Sequence, residues 1–391
     1  MDLTLTSDQT AVVELAARIL GDRCTPEVLA AAESAGDRFD AELWALLAQA
    51  DLLGLCLPEV DGGGGYGVLE AALLCQEVGR TAAPVPLWST LLLGALPLAR
   101  HGSDALRAEV LPRVAEGSLV LTAAVVEDGS SLPPATPLTT ATPHRTDRTG
   151  GTGGTGGTGW SLSGTKHVVP SVHLAGSGVD VRVLVPARTG GGATTVFLID
   201  PTAAGVTVTR GLGTDLEPLS TVSFDGVALG TDAVVGDIDG GTAVVATITA
   251  LGTVGICARQ AGTCDAALRT AAAYTSEREQ FGTKIATFQA VAHRLADAYI
   301  DTEAIRLTSI HAAWLLDEGR PADDALAVAK VWATEGAQRV VHGAQHVHGG
   351  IGVDTDYPLH RWFRAAKAAE HTLGTAHPHL VALGSRIVGA A

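Results

Sequence analysis

The chain has 391 residues, 46% of them apolar and 17% charged, which describes a globular protein of two or three domains and excludes a disordered one. Its net charge of −16 argues against a nucleic-acid groove and against an anionic membrane surface as partner. The five cysteines, Cys24, Cys56, Cys75, Cys257 and Cys264, show no C-x-x-C spacing and read as buried free thiols in a reducing compartment.

The opening MDLTLTSDQT has neither a basic segment nor a long apolar run, so a cytoplasmic protein without a secretory signal is expected. Thr6 and Gln9 form a T-x-x-Q capping box ahead of AVVELAARIL. Helical spacing recurs through AELWALLAQADLLGL and VLEAALLCQEVGR, with the glycine-forced loop PEVDGGGGYG between them. The run LWSTLLLGALPLA is interrupted by Ser89, Gly94 and Pro97 and is too short to span a bilayer. Residues 1–118 therefore read as a helical domain. Residues 119–236 change character: LVLTAAVV, WSLSGTKHVV, VRVLVPA, TTVFLID, VTVTR and STVSFDGVAL predict six to eight short strands of a β barrel or sandwich. Residues 237–391 return to helical spacing, with long segments near 242–276, 287–318, 322–346 and 358–389 punctuated by Gly319, Pro321 and Pro358. The class is α+β.

Inside the β region, the GTGGTG of residues 151–156 matches a dinucleotide-binding glycine pattern literally. That pattern needs a strand before it and a helix opening at its last glycine. Here a Pro/Thr-rich stretch precedes it and the strand-like WSLSG follows, so residues 149–159 read as a low-complexity loop insert.

Two later stretches carry chemistry. In SEREQFGTKIATFQAVAHRLADAY, residues 276–299, Arg278 can bind a pyrophosphate through two hydrogen bonds, Phe281 can stack on a purine, and Gln289 offers an amide at the next helix start. In QHVHGGIG, residues 345–352, Gly349 and Gly350 let backbone amides approach phosphate oxygens. Each has an ordinary reading as well: Arg278 paired with Glu277 or Glu279, and a glycine cap closing a helix. A third stretch, KAAEHTLGTAHPH, gathers Glu370, His371, His377 and His379, but their spacing is not that of metal ligands and no metal site is expected.

The run R-E-Q-F-G…K-I-x-x-F-Q-A-V-x-H-R-L-A-D and the sequence H-G-G-x-G…D-Y-P…R…R, with LPEVDGGGGYGVLEAALLCQEVGR and LSGTKHVV, resemble the acyl-CoA dehydrogenase family over nearly the whole chain. The resemblance implies an N-terminal helical domain, a middle β domain and a C-terminal four-helix bundle. It also implies FAD shared across a subunit interface, with Arg278, Gln280, Phe281, Gln289, His346, Gly349 and Gly350 binding its ADP end. The family's chemistry takes a proton from the carbon beside a thioester while hydride passes to the flavin, and the first step needs a carboxylate base.

Here the sequence departs from the family. The usual base precedes Gly-Thr, and that place is Leu373. The second family position, twenty-six residues before Arg278, is Gly252. Glu370 is the one nearby candidate for a displaced base. The flavin-ring motif T-E-P-x-x-G-S-D is replaced by AAVVEDGSSLPPATP, and Val168 stands where a tryptophan usually faces the ring. The pattern resembles the non-catalytic subunits of α2β2 dehydrogenases of steroid side-chain degradation. It implies a catalytic partner subunit, a bulky acyl-CoA substrate and an electron-transfer flavoprotein or similar acceptor. A complete homo-oligomeric dehydrogenase using Glu370 or another, unrecognised carboxylate as a displaced base, a flavin monooxygenase and a pseudoenzyme without FAD are the alternatives.

Overall fold

The computed structural model of the protein describes residues 4–145 and 158–389. The chain opens with helices α1 (Ser7–Arg23), α2 (Pro26–Ala35), α3 (Ala41–Gln49), α4 (Val68–Thr81), α5 (Leu96–His101) and α6 (Asp104–Ala115). Their starts follow from capping residues: Thr6, Thr25, Asp40 and Ser103 each accept a backbone N–H from the first turn that follows, and Thr6 with Gln9 makes the full capping box. The run containing Ser89 and Gly94 is a buried wide-turn helical stretch, Ser89–Ala95, leading directly into α5.

Among the described residues the middle region holds eight strands: β1 (Leu119–Ala123), β2 (Thr140–Arg145), β3 (Thr158–Pro170), β4 (Asp180–Arg188), β5 (Thr194–Ile199), β6 (Val206–Leu212), β7 (Pro218–Leu229) and β8 (Val234–Val235). They form one mixed sheet in the order β6-β7-β3-β2-β4-β5-β8, with β1 lying parallel to β4. The GTGGTG repeat lies outside the described residues, and the stretch after it is β3, as WSLSG predicts.

The C-terminal region is built on α7 (Gly241–Glu277), about 55 Å long at helical rise. A two-stranded hairpin follows, β9 (Glu279–Gln280) with β10 (Thr283–Lys284). Then come α8 (Gln289–Asp317), α9 (Asp323–Val331), α10 (Ala337–His348), α11 (Leu359–His371) and α12 (Ala376–Gly389). The expected bundle is formed by α7, α8, α9 continuing through a wide turn at Trp332–Gly336 into α10, and α11. The segment 358–389 is not one helix. Leu373 and Gly374 both take positive φ, 54° and 89°, which breaks it into α11 and α12.

The length and apolarity of α7 would suit a membrane span, yet it is a core helix packed by α4, α8 and α10. Two glycines allow α4 and α7 to touch. A Cβ on Gly262 would stand 1.8 Å from the Gln76 carbonyl, and one on Gly79 would stand 1.9 Å from the Arg259 carbonyl. Asp317, at the end of α8, accepts the N–H groups of Val68 and Leu69 and so caps α4 from another domain. All five cysteines are unpaired, and all but Cys24 are buried.

Candidate functional site

Leu373 and Gly252 are 121 residues apart in sequence and meet in space. A Cβ on Gly252 would lie 2.7 Å from Leu373 Cδ1 and 2.6 Å from Leu93 Cδ2, so two leucines fill the place of any side chain there. The indole N–H of Trp88 donates to the Gly252 carbonyl at 3.0 Å and fixes that side of α7. Trp88, Leu93 and Leu373 line a cavity of about 300 Å³ between the sheet and the bundle, together with Val168, Ile256 and Ala369.

The polar end of this cavity is internally paired. Arg259 forms an ion pair with Glu217, and the guanidinium holds that carboxyl below its usual range although burial opposes it. Asp215 also lines the cavity, and burial together with the Glu217 charge pushes its carboxyl up to about 6. Backbone strain gathers at the same place. Val168, Ser171, Leu216 and Leu373 have φ between 54° and 65°, a region that suits glycine and is least tolerable for a β-branched residue such as Val168.

The turn carrying Leu373 is held from below. Lys330, 1% exposed, donates to the carbonyls of Ala369 at 2.8 Å and Thr372 at 2.7 Å. Burial lowers its ammonium to about 8. The His379 ring donates through Nε2 to the Leu373 carbonyl at 2.9 Å. His379, half-buried, is thereby held against the backbone. Glu370 pairs with Lys367 and does not border the cavity, which α11 faces with Ala365, Ala368 and Ala369.

A further ion pair, like Glu217–Arg259, escaped sequence reading. In AAVVEDGSS, Glu127 accepts from Lys166 Nζ at 2.7 Å and from the Thr139 N–H at 2.9 Å, with both charged groups buried. Its signal was the lysine inside the alternating strand LSGTKHVV, one of few in a chain whose basic residues are mostly arginine.

The second group of residues lies at the ends of α7 and α10. Arg278 is the exposed residue after α7 and makes no side-chain hydrogen bond or ion pair among the described residues; Glu279 pairs with Lys284 instead. Gln280 pairs with Thr283 across the hairpin, and Phe281 with Gly282 forms its two-residue turn at φ 56° and 79°. Phe281 is 94% exposed and meets only the edge of Phe288, whose carbonyl precedes α8 and Gln289. His346 is exposed on the last turn of α10. Gly349 and Gly350 follow, both exposed, and a Cβ on either would meet open space. The Tyr274 ring, in the last turn of α7, stacks on His348 at 4.4 Å and joins the two helix ends. Arg278, Gln280 and Phe281 thus occupy one end of the bundle, with His346, Gly349 and Gly350 on the helix clamped beside it.

Residues 6–118 match the acyl-CoA dehydrogenase N-terminal domain and residues 239–387 its C-terminal domain. The chain belongs to the acyl-CoA dehydrogenase family. Acyl-CoA dehydrogenase FadE27 of Mycobacterium tuberculosis is 36% identical over 99% of both chains. A chain of the ChsE4–ChsE5 complex from Mycobacterium tuberculosis is 36% identical, with TM-score 0.87 over 99% of both chains. A variant of the steroid ACAD Tcur3481–Tcur3483 is 39% identical, with TM-score 0.86 over 99% of both chains. The three-part architecture of helices, mixed sheet and helical bundle is that of other acyl-CoA dehydrogenases.

Proposed function

We propose that this chain is the non-catalytic subunit of an α2β2 FAD-dependent acyl-CoA dehydrogenase that desaturates the CoA thioester of a bulky, steroid-like acid. The observation that carries the reading is a division within one chain. Where a base is needed, Leu373 and Leu93 close over Gly252 and supply no oxygen that could take a proton. Where an ADP group would be held, Arg278, Phe281, Gly349 and Gly350 stand exposed and unengaged at one bundle end. An aromatic side chain that is 94% exposed on a strained turn, with the Phe288 ring edge-on beside it, leaves most of its surface to solvent, which suits a ligand brought by another subunit.

The groups present fit the ADP end of FAD and do not fit its ring. The cavity beside Leu373 presents the Glu217–Arg259 pair and the Asp215 carboxyl, and Val168 offers no aromatic face. FAD, when bound, supplies the hydride acceptor. This chain contributes a guanidinium for the pyrophosphate, a ring for the adenine and backbone amides at the glycine pair. The catalytic partner would supply the base, the ring pocket and the substrate site, and an electron-transfer flavoprotein or similar carrier would reoxidise the flavin. Similarity to chains of two named two-chain complexes supports the heteromeric arrangement. Glu370, held by Lys367, gives no support to a displaced base.

The test is to co-purify the chain with its partner and replace Arg278 by alanine. Flavin per complex should fall while the four chains stay assembled. Undiminished flavin would remove Arg278 from the site and the ADP half from this chain.

A further inference from the structure

Arg278 and the glycine pair sit on different helices, so their spacing has to be set by something other than chain continuity. The structure contains a three-ring cluster at that junction, with His348 buried and both tyrosines partly buried. Tyr274 lies one turn before Arg278, His348 directly precedes Gly349, and Tyr357 follows the glycine turn. Tyr274 stacks on His348 with an interplanar angle of 20° and meets Tyr357 edge-on at 6.4 Å. The Nδ1 of His348 is 2.7 Å from the Ala344 carbonyl, which can only accept, so Nδ1 carries the proton. In the neutral ring Nε2 is then an acceptor, and the Tyr357 hydroxyl donates to it at 3.0 Å. Burial keeps the ring neutral by lowering its proton affinity. Both ring nitrogens of His348 are satisfied at 4% exposure.

The bond between His348 and Tyr357 closes the excursion 349–356, so the glycine turn is tied at both ends. The stack then fixes that turn against the α7 terminus from which Arg278 projects. We infer that Tyr357, His348 and Tyr274 are positioning residues: they hold the Gly349–Gly350 amides and the Arg278 guanidinium at the separation a dinucleotide's ADP group requires before it arrives. Exposed ligand groups on two surface elements otherwise lose freedom when they bind, and a rigid junction removes that cost. None of the three rings need touch the ligand.

This inference rests on the assignment of the ADP half to this chain, and a double-mutant cycle separates the two. In the complex with the catalytic partner, FAD affinity is measured by flavin fluorescence for wild type, Tyr357→Phe, Arg278→Ala and the double variant. Tyr357→Phe removes one oxygen and keeps the stack. It should weaken FAD about fivefold in the wild-type background, within the range of one hydrogen bond. In the Arg278→Ala background its effect should shrink to less than about twofold, because the bond acts by aligning the turn with Arg278. Equal effects in both backgrounds, or none in either, would overturn the positioning role. An Arg278→Ala variant that binds FAD normally would overturn the site and the inference with it. His348→Leu, which preserves buried volume and removes the acceptor, should show the same loss of additivity and serves if Tyr357→Phe folds poorly.

Discussion

At Leu373 the backbone adopts a left-handed conformation that costs energy for any residue but glycine. The same holds at Val168, which is β-branched, half exposed and at φ 56°. Such strain is tolerated where surroundings enforce it, and here it borders the cavity that Val168 and Leu373 line. Val168→Asn should therefore stabilise the chain by about 1 kcal/mol, since asparagine visits this region readily and little packing is lost. Urea unfolding of the two proteins measures it, and a loss of stability would show that the valine side chain packs better than its exposure implies. Asp215 makes a pH prediction. Its carboxyl is raised from 3.8 to about 6, so the native chain keeps a proton that the unfolded chain releases. Its contribution favours the fold at low pH and is lost as pH rises from about 4 through 6. Asp215→Asn cannot ionise and should be more stable than wild type at pH 7.5, by about 2 kcal/mol, with the gain gone below about pH 4. Melting midpoints across that range decide it.

Among the elements, the contact of α4 with α7 is the most demanding. Gly262→Ala would put a methyl carbon 1.8 Å from a backbone carbonyl, so the helices must separate. A loss of about 1–3 kcal/mol is expected, read as a lower urea midpoint at unchanged slope. Local signals made the elements themselves legible. Thr6 with Gln9 announced α1, the alternation in STVSFDGVAL announced β7, and Pro358 marked the entry to α11. What stayed hidden were long-range pairings. The Glu217–Arg259 and Glu127–Lys166 pairs join residues 42 and 39 apart, on elements whose crossing no local pattern states. The break at Leu373 was hidden for a related reason. Lys330 reaches in from α9 to the carbonyls of Ala369 and Thr372, and His379 folds back from α12 onto the Leu373 carbonyl, contacts that helix propensity within 358–389 does not state. For the candidate site, residue types and spacing named Arg278, Phe281 and the glycine pair. The rings that join their two helices were not named, because stacking between Tyr274 and His348 exists only after the bundle has formed.

Across the whole molecule, the account rests on an uneven division: one bundle end carries the exposed Arg278, Phe281 and glycine pair, and the cavity between sheet and bundle is lined by Leu373 and Leu93 around Gly252. An assembly of two such chains with two catalytic partners would then complete only half of the flavin sites that four equivalent chains would make. The most direct measurement is the flavin content of the purified complex, by absorbance after denaturation against chain concentration. Two FAD per four chains, with no turnover by this chain alone, is the predicted result. Four FAD per four chains, or thioester desaturation at ordinary enzymatic speed by the isolated chain, would contradict it.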